Sequence, residues 1–421
     1  MNLLSSTYVF SFFTLISRIT GYLRDILIAI FLGASIFADA FFVAFRLPNT
    51  FRRLFSEGSF NAAFIPSYVS EKSISQKKGK KFADEVLNLL VLILLFIILL
   101  VEIFTPYLVY LIAPGFIENS EKFNLAVEFT RITFPFLLLV SIASFFSGIL
   151  NSNNRFAAAA ASPIILNIVL ITSLLISYFL NLNFAKQLSY GVTLSGLLQM
   201  LFLLYFTKKY YKPSFELKTR LTKKVKFFFK KLLPSILSSG VTQINILIGT
   251  IIASFEASAV SYLYYADRVY QINLALAGIA VGTVSLPVLS KAFDQKNFLK
   301  ISNIQSRSLE LSLLLSIPAS IGLILASDEI VNALFGYGSF TVENVSKTAL
   351  ALKFFGYGVP AFALIKILSN FFFARNNTKT PFYISSFIVL LNILISISLF
   401  NKIGFIIIPI ATSVSTWIGI I

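Results

Sequence analysis

The run ADEVLNLLVLILLFIILLVEIFTPYLVYLI (83–112) carries no charge between Glu85 and Glu102, and Lys77, Lys78, Lys80 and Lys81 stand just before it. A helix of about 20 apolar residues crosses a bilayer core of about 30 Å, because lipid offers no partner to an unpaired backbone N–H or C=O. The run is therefore predicted to be a membrane span. Working outward from it, the same reading finds eleven more, giving spans at 6–31, 38–66, 83–112, 124–150, 157–180, 187–206, 228–254, 259–289, 305–325, 347–374, 381–400 and 404–421. The expected fold class is an all-α polytopic membrane protein. No Lys or Arg precedes the first span and no small-residue cleavage site follows a short apolar core, so it reads as a retained helix rather than a signal peptide. Ile421 falls inside an apolar run with no flanking charge, and the natural protein is expected to continue past it.

Composition agrees. Of 421 residues 57% are apolar and 13% charged, against roughly 25% charged in soluble domains. The chain has neither Cys nor His, which excludes disulfides, thiolate or imidazole metal sites, Ser-His-Asp and Cys-His nucleophiles and a histidine pH switch. The formal net charge is +17. Taken alternately, one set of loops holds twenty-two Lys and Arg and the other only Lys122, Lys186, Lys347 and Lys402. Basic loops are retained on the cytoplasmic side, so the N-terminus is expected to be cytoplasmic. The basic segment 207–231 reads as a topology determinant on anionic headgroups rather than as a nucleic-acid site.

At an offset of 225 the chain resembles itself. Pro135 aligns with Pro360, Asn151 with Asn376, and Leu166, Asn167 and Ile168 with Leu391, Asn392 and Ile393. Six spans lie between the copies, an even number, so both have the same orientation. The expected architecture is two parallel six-helix bundles related by a pseudo-two-fold axis along the membrane normal, around a central cationic cavity. Residues 1–206 form the first half, 207–227 a basic cytoplasmic linker and 228–421 the second half.

Nine basic residues fall within or at the edges of spans: Arg18, Arg24, Arg46, Arg52, Arg53, Arg131, Arg268, Lys353 and Lys366. An Arg at a helix centre costs roughly 2.5–3.5 kcal/mol on insertion scales and persists where it meets partners or water. At a rise of about 1.5 Å per residue, Arg18 lies roughly 18 Å into the first span, with Arg24 deeper; Arg52 and Arg268 lie roughly 21 and 14 Å from the opposite surface. Asp25, Asp39, Glu57 and Asp267 are the nearby carboxylates. The balance stays basic, which points to an anionic substrate; guanidinium holds phosphate oxygens in pairs, whereas Lys acts as a point charge. Pairing of Arg24 with Asp25, or of Arg268 with Asp267, is the competing reading, and adjacent helix residues do not face each other. Arg131, Lys353 and Lys366 read as interfacial anchors. Ser238, Ser239, Thr242, Gln243 and Asn245 read as packing rather than cation ligands. The chain holds no Walker sequence, and no cofactor or metal is expected.

SRITGYLRDILIAIFLGASIFADAFFVAFRLPNTFRRLFSEGSFNAAFIP (17–66) and SYLYYADRVYQINLALAGIAVGTVSLPVLS (261–290) resemble the MurJ (MviN) family of bacterial lipid II flippases. The resemblance implies alternating-access transport of undecaprenyl-diphosphate-linked muropeptide from the inner to the outer leaflet of the cytoplasmic membrane, by a monomer surrounded by membrane lipids. It places the family's cavity arginines on Arg18, Arg24, Arg52 and Arg268, a further cavity position on Ser261, and important acidic positions on Asp39 and Glu57. It also implies fourteen helices, of which this chain lacks the last pair. Some members bind sodium through carboxylates in helices 7 and 11, and neither span here has Asp or Glu. A related drug or polysaccharide exporter, a polyprenyl-phosphate enzyme and a membrane scaffold are the other classes. A cation exporter wants an acidic cavity, an enzyme a carboxylate cluster or a His, and a scaffold no buried arginines.

Overall fold

The computed structural model describes residues 3–54, 60–214, 222–275, 278 and 281–421, and all regular structure among them is helical. By packing the chain divides into two compact units, one of residues 1–32 with 36–243, the other of 33–35 with 244–421.

The first unit holds α1 (Leu3–Leu32), α2 (Ile36–Leu54), α3 (Phe60–Ile74), α4 (Gln76–Ile112), a 3₁₀ turn (Pro114–Glu118), α5 (Ser120–Thr133), α6 (Phe136–Ser152), α7 (Phe156–Leu180), α8 (Phe184–Thr207) and most of α9 (Lys223–Ala253). The second holds the end of α9, then α10 (Ala259–Leu274), α11 (Val281–Asp294), α12 (Phe298–Leu325), α13 (Ser327–Phe335), α14 (Val342–Gly356), α15 (Val359–Phe373), α16 (Lys379–Ile403) and α17 (Ile407–Ile418).

Among the described residues six stretches are long and apolar enough to cross a bilayer, among them Ser120–Ser152, and α14 with α15, bent by 42°, makes a seventh. The twelve expected spans differ from this in part because 38–66 and 259–289 are divided into shorter helices and because 381–400 and 404–421 lie in one stretch, Lys379–Ile418. The stretch 38–66 falls on α2 and α3, 124–150 on α5 and α6, 259–289 on α10 and α11, and 347–374 on α14 and α15. Pro135 and Pro360, the aligned prolines, each stand at such a division.

A proline inside a helix leaves the carbonyl four residues earlier without its donor, and hydrocarbon supplies no water to replace it. Neighbouring hydroxyls do so here. Pro48 orphans the Ala44 carbonyl, which accepts from Thr133 Oγ1 at 3.0 Å. Pro360 orphans the Gly356 carbonyl, which accepts from Ser320 Oγ at 2.7 Å. Beside the same break, Ser413 Oγ donates to the Phe354 carbonyl at 2.7 Å and Trp417 Nε1 to the Tyr357 carbonyl at 2.9 Å. At the α5–α6 break Thr193 Oγ1 donates to the Ile132 carbonyl at 2.5 Å. These carbonyls are thus tied to adjacent helices rather than left open.

The first unit's core is aromatic. Phe60, Phe64, Phe82 and Phe228 are buried and meet edge-to-face or stacked, with Tyr211 against Phe145. Phe228 belongs to the start of α9, and described residues at both ends of the basic segment 207–231 are bonded to α3 and α4. Asp84 Oδ1 accepts from Tyr211 Oη at 2.5 Å and from the Ser214 amide at 3.0 Å, Glu85 accepts from Thr222 Oγ1 at 2.8 Å, and Glu71 pairs with Lys224 at 2.5 Å. Burial and the Asp84 charge push the Tyr211 phenol well above its ordinary range.

In the second unit Tyr265, Phe335 and Phe340 form a buried triad. Gly33–Ser35 pack with it: Tyr265 Oη donates to the Gly33 carbonyl at 3.0 Å, Ser258 Oγ to the Ala34 carbonyl at 2.8 Å, and the Ala34 amide to Asn344 Oδ1 at 3.2 Å. Gly33 has φ +60°, and a Cβ there would stand 2.3 Å from the Ser339 carbonyl oxygen, so only glycine fits.

Replacing Ser320 by Ala strands a buried carbonyl and is expected to cost about 1–3 kcal/mol. Ser308→Ala, whose hydroxyl only returns to Ile304 of its own helix at 2.7 Å, is expected to cost less. Thermal unfolding of the two purified variants in detergent compares them. Tyr211→Phe is expected to lower stability by about 1 kcal/mol and to increase proteolysis within 208–224, read by limited trypsin digestion.

Candidate functional site

The first candidate cluster is built on α1. At 100° per residue the buried Arg24, Asp25, Ile28 and Leu32 share one face, while Leu15, Ile19 and Leu23 are exposed on another. α7 packs against α1 and brings in Asn167. Arg24 Nη2 and Nε donate to Asp25 Oδ1 at 2.6 and 3.0 Å, and Nη1 donates to Asn167 Oδ1 at 2.9 Å. The Asn167 amide nitrogen in turn donates to the Ser17 carbonyl at 2.9 Å and to Thr20 Oγ1 at 3.1 Å. A Cβ at Gly21 would sit 3.3 Å from that nitrogen, so the small residue lets Asn167 reach in.

This corrects the sequence reading, in which neighbours on a helix do not meet. An arginine side chain is long enough to fold back across the 100° step. Both charges are buried, 6% and 2% exposed, so neither can turn to water instead. Asn167 was noticed only as part of the repeat, and its isolated amide within an apolar span was the available signal.

Arg18 lies seven residues before Asp25, on the same side of α1 by helical angle, and is exposed. No hydrogen bond or ion pair to it is described. Arg52 is half-buried one turn past Pro48 of α2, where Asn49 Oδ1 accepts from its Nε at 3.1 Å. Glu57 and the side chains of Ser238, Ser239 and Thr242 lie outside the described residues.

Asp39, in the first turn of α2, is fully buried. Its carboxylate Oδ2 accepts from Lys122 Nζ at 2.5 Å, and that ammonium lies over the Phe116 ring, 4.1 Å from its centroid. Lys122 is not the loop residue the sequence suggested. The 3₁₀ turn and the Asn119 cap, whose Oδ1 accepts from the Lys122 amide at 3.0 Å, start α5 early enough to bury Lys122 in its first turn. Lys122 is therefore a second residue missed from sequence.

In the second unit Ser261, Tyr264 and Arg268 follow one side of α10 at spacings of three and four. Ser261 is fully buried. Arg268 Nη2 donates to Tyr264 Oη at 3.0 Å, with the guanidinium carbon 4.6 Å from the ring centroid. Asp267 accepts from Gln271, one turn along. Lys366 is exposed on α15, and Lys353 half-buried on α14.

Each unit thus holds an arginine against a hydrogen-bonding framework: Arg24 against a carboxylate and an amide, Arg268 against a phenol.

Comparison with known proteins places the whole chain. Residues 28–421 match the family model described as "Lipid II flippase MurJ". A probable lipid II flippase MurJ from Rhizobium tropici is 40% identical over 412 residues, covering 96% of this chain and 77% of the relative. Another from Rickettsia prowazekii is 38% identical over 421 residues, covering 99% and 82%. Among solved structures, a lipid II flippase MurJ in an inward closed conformation superposes with TM-score 0.88 at 30% identity, covering 98% of this chain and 86% of that one. An inward-facing MATE-family multidrug transporter matches at TM-score 0.74 and 13% identity, a likeness of fold alone. On sequence and on fold alike, the chain belongs to the MurJ family of lipid II flippases.

Proposed function

We propose that this protein carries the lipid-linked peptidoglycan precursor, an undecaprenyl-diphosphate muropeptide, from the inner to the outer leaflet of the bacterial cytoplasmic membrane. It works as a multi-pass monomer with its N-terminus in the cytoplasm, transports rather than catalyses, and uses alternating access between pseudo-symmetric halves. The observation that carries the reading is the buried Arg24 held between Asp25 and Asn167 within a membrane helix, in a chain of this family.

The chemistry follows from the pairing. A diphosphate offers more charge and more acceptor oxygens than one aspartate, so it competes with Asp25 for the guanidinium. Arg18 and Arg52 of the first unit, and Arg268 and Ser261 of the second, supply further donors for the headgroup, and the polyprenyl chain stays in lipid. Asp39 and Glu57 bias the conformations by pairing in one more than in another. A ligand shifts such an equilibrium only by the difference in its affinity for the two forms, and exchange of partners at Arg24 provides such a difference.

The test is a leaflet-accessibility assay for lipid II in cells depleted of their own flippase and supplied with this protein. Arg18→Ala and Arg268→Ala are expected to abolish transport at unchanged membrane insertion, and Arg268→Lys to restore only part, because an ammonium lacks the planar fork. Arg24→Ala behaves differently. It leaves Asp25 buried without its partner, expected to cost about 3–5 kcal/mol of stability, and is expected to reduce the amount of folded protein, measured by fluorescence-detected size exclusion. Full transport by the Arg18 and Arg268 variants would refute the reading.

A further inference from the structure

We infer that Lys122 is a positioning residue for transport, acting through Asp39. Neither composition nor motif singles it out. Its ammonium is held from two sides, by Asp39 Oδ2 at 2.5 Å and by the Phe116 ring at 4.1 Å, and its backbone amide is held by the Asn119 cap. Phe116 is fully buried on a turn that begins at Pro114. The ammonium therefore has little freedom to leave, and the cation–π contact adds to its attraction to the site.

Asp39 gains from two directions. Its place in the first turn of α2 sets it in the positive end of the helix dipole, and Lys122 neutralises it directly. With side-chain exposures of 0% for Asp39 and 6% for Lys122, removing either partner takes away the opposite charge closest to the other in a buried setting, which costs more than removing both. The pair also works with a second tie between the same helices. Thr133 of α5 donates to the Ala44 carbonyl of α2 at 3.0 Å, so α2 is joined to α5 at both points. Lys122 thereby holds the carboxylate in place and fixes the helix that carries Arg52.

The inference rests on the proposed flippase function and on Asp39 as a transport residue. Its test uses the same accessibility assay, normalised to inserted protein, with thermal unfolding of each purified variant. Lys122→Met and Asp39→Asn are each expected to lower transport at least about tenfold, and Lys122→Arg to stay within about threefold of the parent. The double variant D39N/K122M removes both charges, so it is expected to unfold at a temperature close to the parent's while its transport remains as low as that of either single variant. Normal transport by Lys122→Met would overturn the inference. So would normal transport by the double variant, which would make the pair a packing element only, or an additive double loss, which would mean the residues act separately. An unaltered protein that moves no lipid II would instead overturn the function on which the inference rests.

Discussion

In hydrocarbon, a main-chain carbonyl that loses its helical donor has no water to turn to, and this constraint organises the fold. Pro48 lies inside α2 and Pro360 where 347–374 divides, and the carbonyl that each one orphans is met by a hydroxyl from a different helix. The 42° bend between α14 and α15 is thus set by two helices together. It lets a span change direction without stranding polar backbone in lipid.

The same accounting governs the buried charges. Arg24 is matched by Asp25 and Asn167, and Asp39 by Lys122, with short contacts in both. Neither pair is a surface ornament, since burial makes the loss of one partner far more costly than the loss of both. The two pairs nevertheless differ in composition. The guanidinium of Arg24 has several donors and an exchangeable set of acceptors, which suits competition with an incoming anion. The ammonium of Lys122 is enclosed by a ring and a capped turn, which suits permanence.

Much of this was legible in the sequence because hydrocarbon enforces long apolar runs, and because arginine in such runs is too costly to be incidental. The helices and the arginines of α1, α2 and α10 follow from that alone. The division of 124–150 was not legible: a single Pro135 amid Phe and Leu does not announce whether a helix bends or ends. The pairing of Arg24 with Asp25 was named but ranked second, because helical angle describes where Cβ points, whereas a long side chain closes the gap when a third residue, Asn167, holds its far end. Lys122 was misplaced because hydropathy assigns any lysine between two spans to a loop. Only the turn at Pro114 and the cap at Asn119 bury it.

The docking of Tyr211, Thr222 and Lys224 onto Asp84, Glu85 and Glu71 has a consequence for biogenesis. The first unit is not finished when its last full span, α8, enters the bilayer, because its acidic side chains and its Phe64–Phe82 core still await Thr222, Lys224 and Phe228. During synthesis on the ribosome those residues emerge from the exit tunnel before nearly all of the second unit, so the first can mature co-translationally as a complete folding nucleus. The nascent chain then offers α10 and its successors an already assembled neighbour in the translocon's vicinity.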